Sequence, residues 1–246
     1  MSTAGCVSCA HAVAKRSDAA TSPKFRREPP EARRAELIAA TLACLERFGH
    51  AGVSVRRISA AAGVTMGLIN HHFAGIDALV AAAYEALAMR LLARSREAAL
   101  ALDAAPADCL HAFFAASFTP EALDPALFRA WVVFWSLVPH SAPMRAVHDR
   151  TYAASRATLE TLLSRLKRAP GVPAFRIGAA AIALAALMDG LWVELSLNPA
   201  SFAPGEAVGS CDDWVQGLAA GAFPGLRNGS RGTARTRLAS QAARGR

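Results

Sequence analysis

The chain reads as an all-α protein in two parts: an N-terminal three-helix unit containing a helix-turn-helix, and a larger C-terminal helical domain. Three observations carry this. Apolar residues recur at spacings of three and four with almost no alternating strand pattern, and Pro or Gly marks the breaks between segments. Between Arg33 and Leu79, a helix ending in RFGHAG is followed by VSVRRISAAAGVTMGLINHHF, the pattern of a helix, a tight turn and a second short helix.

In the first helix Ile38, Leu42, Leu45 and Phe48 form one apolar stripe, and Gly49 is expected to end it as a left-handed cap. Ser54 is the expected N-cap of the next helix, with Val55, Ile58 and Ala62 inward and Arg56 and Arg57 in water. Gly63 suits a left-handed turn that tucks Val64 inside and lets Thr65 cap a third helix over 66–73. Further helices are predicted over 77 to about 102, 106–117, 125–138, 143–167, 173–198 and about 212–223, nine in all. Asp124 before Pro125 is a favoured helix start.

The third helix is the natural groove reader, because Met66, Gly67, Leu68, Asn70, His71 and His72 carry no formal charge at neutral pH and suit close approach to bases. Candidate DNA contacts are Arg33, Arg34, Ser54, Arg56, Thr65, Met66, Gly67, Asn70, His71 and His72. The bland alternative is an ordinary helical corner. The net charge of +8 is not itself the argument, since residues 224–246 hold six Arg and no acid, and residues 1–34 hold seven basic and three acidic residues. The relevant quantity is local: five Arg against Glu36 and Glu46 between Arg33 and Phe73 give +3.

The 246 residues, 53% hydrophobic, suffice for a large core or two domains sharing a helix. The expected division is a disordered arm over 1–30, a DNA-binding domain over 31–78, a helical ligand-binding and dimerisation domain over 79–223, and a disordered basic tail over 224–246. The longest apolar run, 177–193, is interrupted by Gly178, Asp189 and Gly190 and reads as a buried helix, and no secretory signal is visible. A cytoplasmic protein with no membrane partner is expected. The five cysteines are odd in number and scattered; Cys6 and Cys9 form a CxxC near His11 but lack a fourth ligand, so no metal and no cofactor are expected. No catalytic constellation is visible, which argues against an enzyme.

The segment FRAWVVFWSLV is the second informative place. Trp131, Phe134 and Trp135 gather on one side of a helix, with Phe128 one turn earlier and Trp192 available from another helix. Such a stripe is either core packing or a cage for a quaternary ammonium, which lacks hydrogen-bond donors and is held by cation–π attraction.

The segment GVTMGLINHHFAGIDAL resembles the DNA-binding domain of TetR-type transcriptional repressors. Asn70 stands at the family's usual Tyr and Ile76 at its usual Lys, both phosphate contacts in the family, so the resemblance implies either weaker backbone binding or a larger share of it on Arg33, Arg34, Arg56, Arg57 and His72. The blocks AWVVFW and MDGLW are similar to the C-terminal domain of BetI-type regulators, the choline-responsive branch. That resemblance implies a homodimer formed through the last two helices, an inverted-repeat double-stranded DNA operator, and a small-molecule effector. The effector is expected to be choline, another quaternary ammonium or a small amine, bound at Phe128, Trp131, Phe134, Trp135 and Trp192. Asp189, in an Asp-Gly-Leu run common in the family, is expected to brace a helix contact rather than read the effector. The alternatives are a repressor of efflux or catabolic genes with a hydrophobic ligand, and a ligand-independent dimeric DNA-binding protein.

Overall fold

The computed structural model describes residues 29–227. Within them lie α1 (Pro30–Phe48), α2 (Val55–Ala62), α3 (Met66–His72), α4 (Ile76–Leu100), α5 (Pro106–Ser117), α6 (Pro125–Leu137), α7 (Ala142–Lys167), α8 (Ile177–Leu197) and α9 (Pro204–Ala219). Two short 3-10 turns, Gly49–Gly52 and Pro224–Leu226, complete the order. Cys6, Cys9 and nearly all of the expected N-terminal arm lie outside the described residues, as does the chain beyond 227.

The first three helices close around Leu37, Cys44, Ile58, Ile69, Phe73 and Leu79. Gly63 adopts the expected left-handed conformation (φ 65°, ψ 31°), and Val64 donates its N–H to the Ser59 carbonyl at 2.9 Å. Gly49 departs from expectation: its φ of 54° is positive but its ψ of −134° is not that of a left-handed cap, so the chain runs on into the 3-10 turn. The tightest position there is Gly52, where a Cβ would stand 2.4 Å from the Cys44 carbonyl oxygen. Phe48 is 37% exposed rather than buried, its ring lying between the guanidiniums of Arg47 and Arg57 at 4.9 and 4.2 Å. Ser54 and Thr65 occupy their N-cap positions, but the first-turn contacts come from their carbonyls, which accept from Ile58 and Leu68, and neither hydroxyl caps.

A second core joins the two parts of the molecule: Leu42 and Leu45 of α1 pack with Tyr84 and Leu87 of α4, Leu127 and Phe134 of α6, and Met144 and Val147 of α7. A third, with Phe113, Phe114, Leu159, Leu163, Leu184 and Val215, holds α5, α7, α8 and α9 together. Asp124 caps α6 by accepting the Ala126 N–H at 2.8 Å.

Three boundaries differ from expectation. α8 starts at Ile177, because Phe175 forms an antiparallel bridge with Arg227 and the Arg176 N–H donates to the Leu226 carbonyl at 2.8 Å. α9 starts at Pro204 and ends at Ala219; the Glu206 carboxylate accepts the Ala203 N–H at 2.7 Å, so the Pro-Gly-Glu run read as loop is a helix start. Pro224–Arg227 belongs to this folded clasp rather than to a tail. α8 is, among the described residues, the one helix long and apolar enough to cross a membrane by length and composition; here it packs against α7 and α9.

Candidate DNA-reading face and effector cavity

On α3, Ile69 is fully buried and anchors the helix, while Met66 (58% exposed), Gly67, Asn70 and His71 stand in solvent and His72 is half-buried. A Cβ at Gly67 would meet nothing, so the backbone itself is presented at the surface. Thr65 precedes this row, and the exposed Arg56 and half-buried Ser54 sit on and before α2. Arg33 pairs with Glu36 at 2.5 Å. Arg34, expected to reach phosphate, instead donates to the His72 carbonyl and lies 4.1 Å over the Phe73 ring. A guanidinium at that helix end is favoured by its dipole, so Arg34 positions α3.

The C-terminal helices form a cavity of about 190 Å³, open to solvent on one side, between α4, α5, α6, α7 and α8. Trp131 and Trp135 of α6 and Trp192 of α8 line it, with their ring centroids 5.9–6.2 Å apart pairwise. The Trp192 indole N–H donates to the Ala122 carbonyl at 2.9 Å, which fixes that ring and leaves its surface to the cavity. Two predicted members fall away. Phe134 is fully buried and stacks on Tyr84 at 4.9 Å, filling the core between α6 and α4 because it turns to the other side of Trp131. Phe128 does not line the cavity; it packs against Trp192 at 5.4 Å.

Among the other residues that line it are Tyr152 of α7 and Asp189 of α8. Asp189 is exposed by surface area yet surrounded by protein, because much of its surface faces this cavity. Burial pushes its carboxyl above the ordinary value, opposed by the Tyr152 hydroxyl that faces it. Tyr152 is itself raised, first by burial and then by the Asp189 charge. Asp189 thus places an acidic group in the same cavity as three indoles. Behind it, Tyr84 meets Trp131 edge-on at 5.1 Å and lies 2.9 Å from His148 Nδ1; burial raises the phenol to about 12 and lowers the imidazole, which keeps both neutral.

Asp189 thus lines the cavity, a place that the expected helix-bracing role did not include. The available signal was its place three residues before Trp192, on the same helical side. Tyr152 carried no local signal, since only the packing of α7 on α8 brings it there.

Residues 37–83 match the family model for bacterial regulatory proteins of the tetR family, and residues 106–220 match that for the C-terminal part of BetI-type transcriptional repressors. The HTH-type transcriptional regulator BetI of Paraburkholderia phytofirmans is 30% identical over 75% of this chain and 92% of its own length. That of Vibrio vulnificus is 31% identical over 69% and 84%. Among solved structures, a transcriptional regulator from Pseudomonas aeruginosa PAO1 is 48% identical with a TM-score of 0.76, covering 83% of this chain and 99% of that one. A regulator from Saccharomonospora viridis, solved in complex with choline, shares the fold at 20% identity and a TM-score of 0.63, over 76% and 97% of the two chains. With a helix-turn-helix on a clean reading face, an aromatic cavity in the helices behind it, and matches across both, the chain belongs to the TetR family of DNA-binding transcriptional regulators, in its BetI-type branch.

Proposed function

We propose that the protein is a ligand-released repressor that binds an inverted-repeat operator as a homodimer and is released by a quaternary ammonium or related small cation. The observation that carries the effector assignment is the meeting of Trp131, Trp135 and Trp192 with Asp189 and Tyr152 in one cavity. Indole faces attract a cation that cannot donate hydrogen bonds, at about 0.5–2 kcal/mol for each face, and the carboxylate supplies the counter-charge. Packed core aromatics would leave neither the space nor the carboxylate.

For DNA, Met66, Gly67, Asn70 and His71 are assigned to base edges, and Ser54, Arg56, Thr65 and His72 to phosphates, with Arg33 close by and Arg34 holding α3. The hydroxyls of Ser54 and Thr65 make no capping bond, so both are available to phosphate oxygens. The half-exposed apolar surface of α8, including Ile182 at 55% exposed, supports a dimer in which α8 and α9 pack with their copies. Two reading helices would then lie about 34 Å apart. Ligand favours a spacing that DNA rejects, and coupling of about 1–3 kcal/mol makes a usable switch.

The test is an operator titration followed by fluorescence anisotropy with increasing choline. Release of DNA at saturating choline, together with direct binding of choline by calorimetry, supports the reading. Choline binding that leaves operator affinity unchanged would remove the switch, and an apolar ligand that alone releases DNA would replace the effector class.

A further inference from the structure

The same cavity carries a second chemistry away from Asp189. Arg94 and Ser95 of α4, Ser117 of α5, and Ser155 and Arg156 of α7 also line it. Ser95 and Ser117 stand 3.0 Å apart, hydroxyl to hydroxyl. Among the described residues no hydrogen bond or ion pair engages the exposed Arg156. Arg94 forms a long ion pair with the exposed Glu121 carboxylate, Nη2 to Oε2 at 3.7 Å. Glu121 is held low chiefly by its own backbone N–H and then by the Thr119 hydroxyl, with Arg94 a lesser cause. Two exposed arginines therefore border this space, Arg94 in its long ion pair with Glu121 and Arg156 without a partner among the described residues.

A ligand bearing only positive charge gains from Asp189 and the indoles but is repelled by both arginines. Tyr152, which faces Asp189, and Arg156 lie four residues apart on one face of α7, a rise of about 6 Å. A molecule with its cation and anion separated by a short carbon chain answers both ends at once. The volume of about 190 Å³ admits it, since a void of roughly 150 Å³ already holds benzene.

We propose that the cavity takes a zwitterionic quaternary ammonium compound, its trimethylammonium group among Trp131, Trp135 and Trp192 and its carboxylate or phosphate held by Arg94 and Arg156. The proposal rests on the cationic-effector reading above. Guanidinium recognises both oxyanions by paired N–H donors, so the anion's identity is a matter for the test.

The experiment is calorimetric titration of the full chain with choline, glycine betaine, L-carnitine, phosphocholine and butyrate, repeated on R94M/R156M and R94K/R156K. At least one zwitterion should bind about tenfold more tightly than choline, the carboxylates and phosphocholine distinguishing the anion. That preference should fall to about twofold or less in the Met variant and largely return in the Lys variant, which keeps the charge. Choline binding as tightly as every zwitterion overturns this proposal alone, as does a preference that survives in the Met variant. Failure of every trimethylammonium compound to bind overturns both it and the cationic effector, and butyrate binding as tightly as the zwitterions does the same.

Discussion

Arg129 of α6 donates its Nε–H to the backbone carbonyl of Glu46, 2.8 Å away, and so fastens the helix that bears Trp131 and Trp135 to the last turn of α1. Cavity and reading unit thus share a helix, a hydrogen bond and the core built on Leu45, Tyr84 and Phe134. Arg129→Ala should leave ligand affinity nearly intact while reducing ligand-driven operator release several-fold, read as the ratio of operator Kd with and without ligand. An unchanged ratio would mean that coupling runs through α4 alone.

Replacing Trp135 with Ala should weaken binding of trimethylammonium ligands by about 2- to 30-fold, the equivalent of one lost cation–π face. Trp135 is half-buried at the cavity wall, unlike Phe134, so the fold should survive. Calorimetry gives the affinity and circular dichroism the fold. Phe134→Ala, in contrast, should cost about 3–5 kcal/mol of stability, because it empties a filled core site.

The raised pKa of Asp189 gives the effector site a pH dependence. The folded protein holds this proton at pH values where the unfolded chain has already lost it. Its contribution to stability is therefore complete below the ordinary aspartate range and disappears as pH rises through the raised value. Ligand affinity runs the other way: a cation needs the ionised carboxylate, so binding should strengthen as pH rises through that value. Titrations between about pH 4 and about pH 8 should show this slope in the wild type, and Asp189→Asn should flatten it and lower the affinity.

In the reading unit, Gly52→Ala should destabilise the N-terminal helices by about 1–3 kcal/mol, since the new Cβ meets the Cys44 carbonyl, a backbone group that cannot rotate away. Thermal unfolding measures it. Asn70→Ala should instead leave stability alone and reduce specific operator affinity about 5- to 150-fold, by anisotropy against a matched non-specific duplex.

The local parts of this molecule were readable in one dimension. Gly63 and Val64 form the turn their order implies, and Asp124-Pro125 starts a helix as capping chemistry demands. The aromatic stripe was visible too, but its orientation was not: Phe134 and Trp135 stand about 100° apart around α6, one to either side of Trp131, and only the neighbouring helices decide which of them faces a cavity. Asp189 and Tyr152 meet through the packing of α7 on α8, and Arg94 and Arg156 look in sequence like ordinary solvated charges. Contacts between distant segments leave no periodic trace, which is why the polar half of the cavity emerged only in three dimensions. The early start of α9 was legible after the fact, in Pro204 and Glu206.

The bridge between Phe175 and Arg227 has a practical bearing on handling the protein. Arg176 also donates to the Gly225 carbonyl at 2.6 Å, so the stretch after α9 works as a latch over the entry to α8. An expression clone cut at the end of α9 would discard that latch and loosen the segment between α7 and α8, whereas a boundary placed beyond residue 227 keeps it whole.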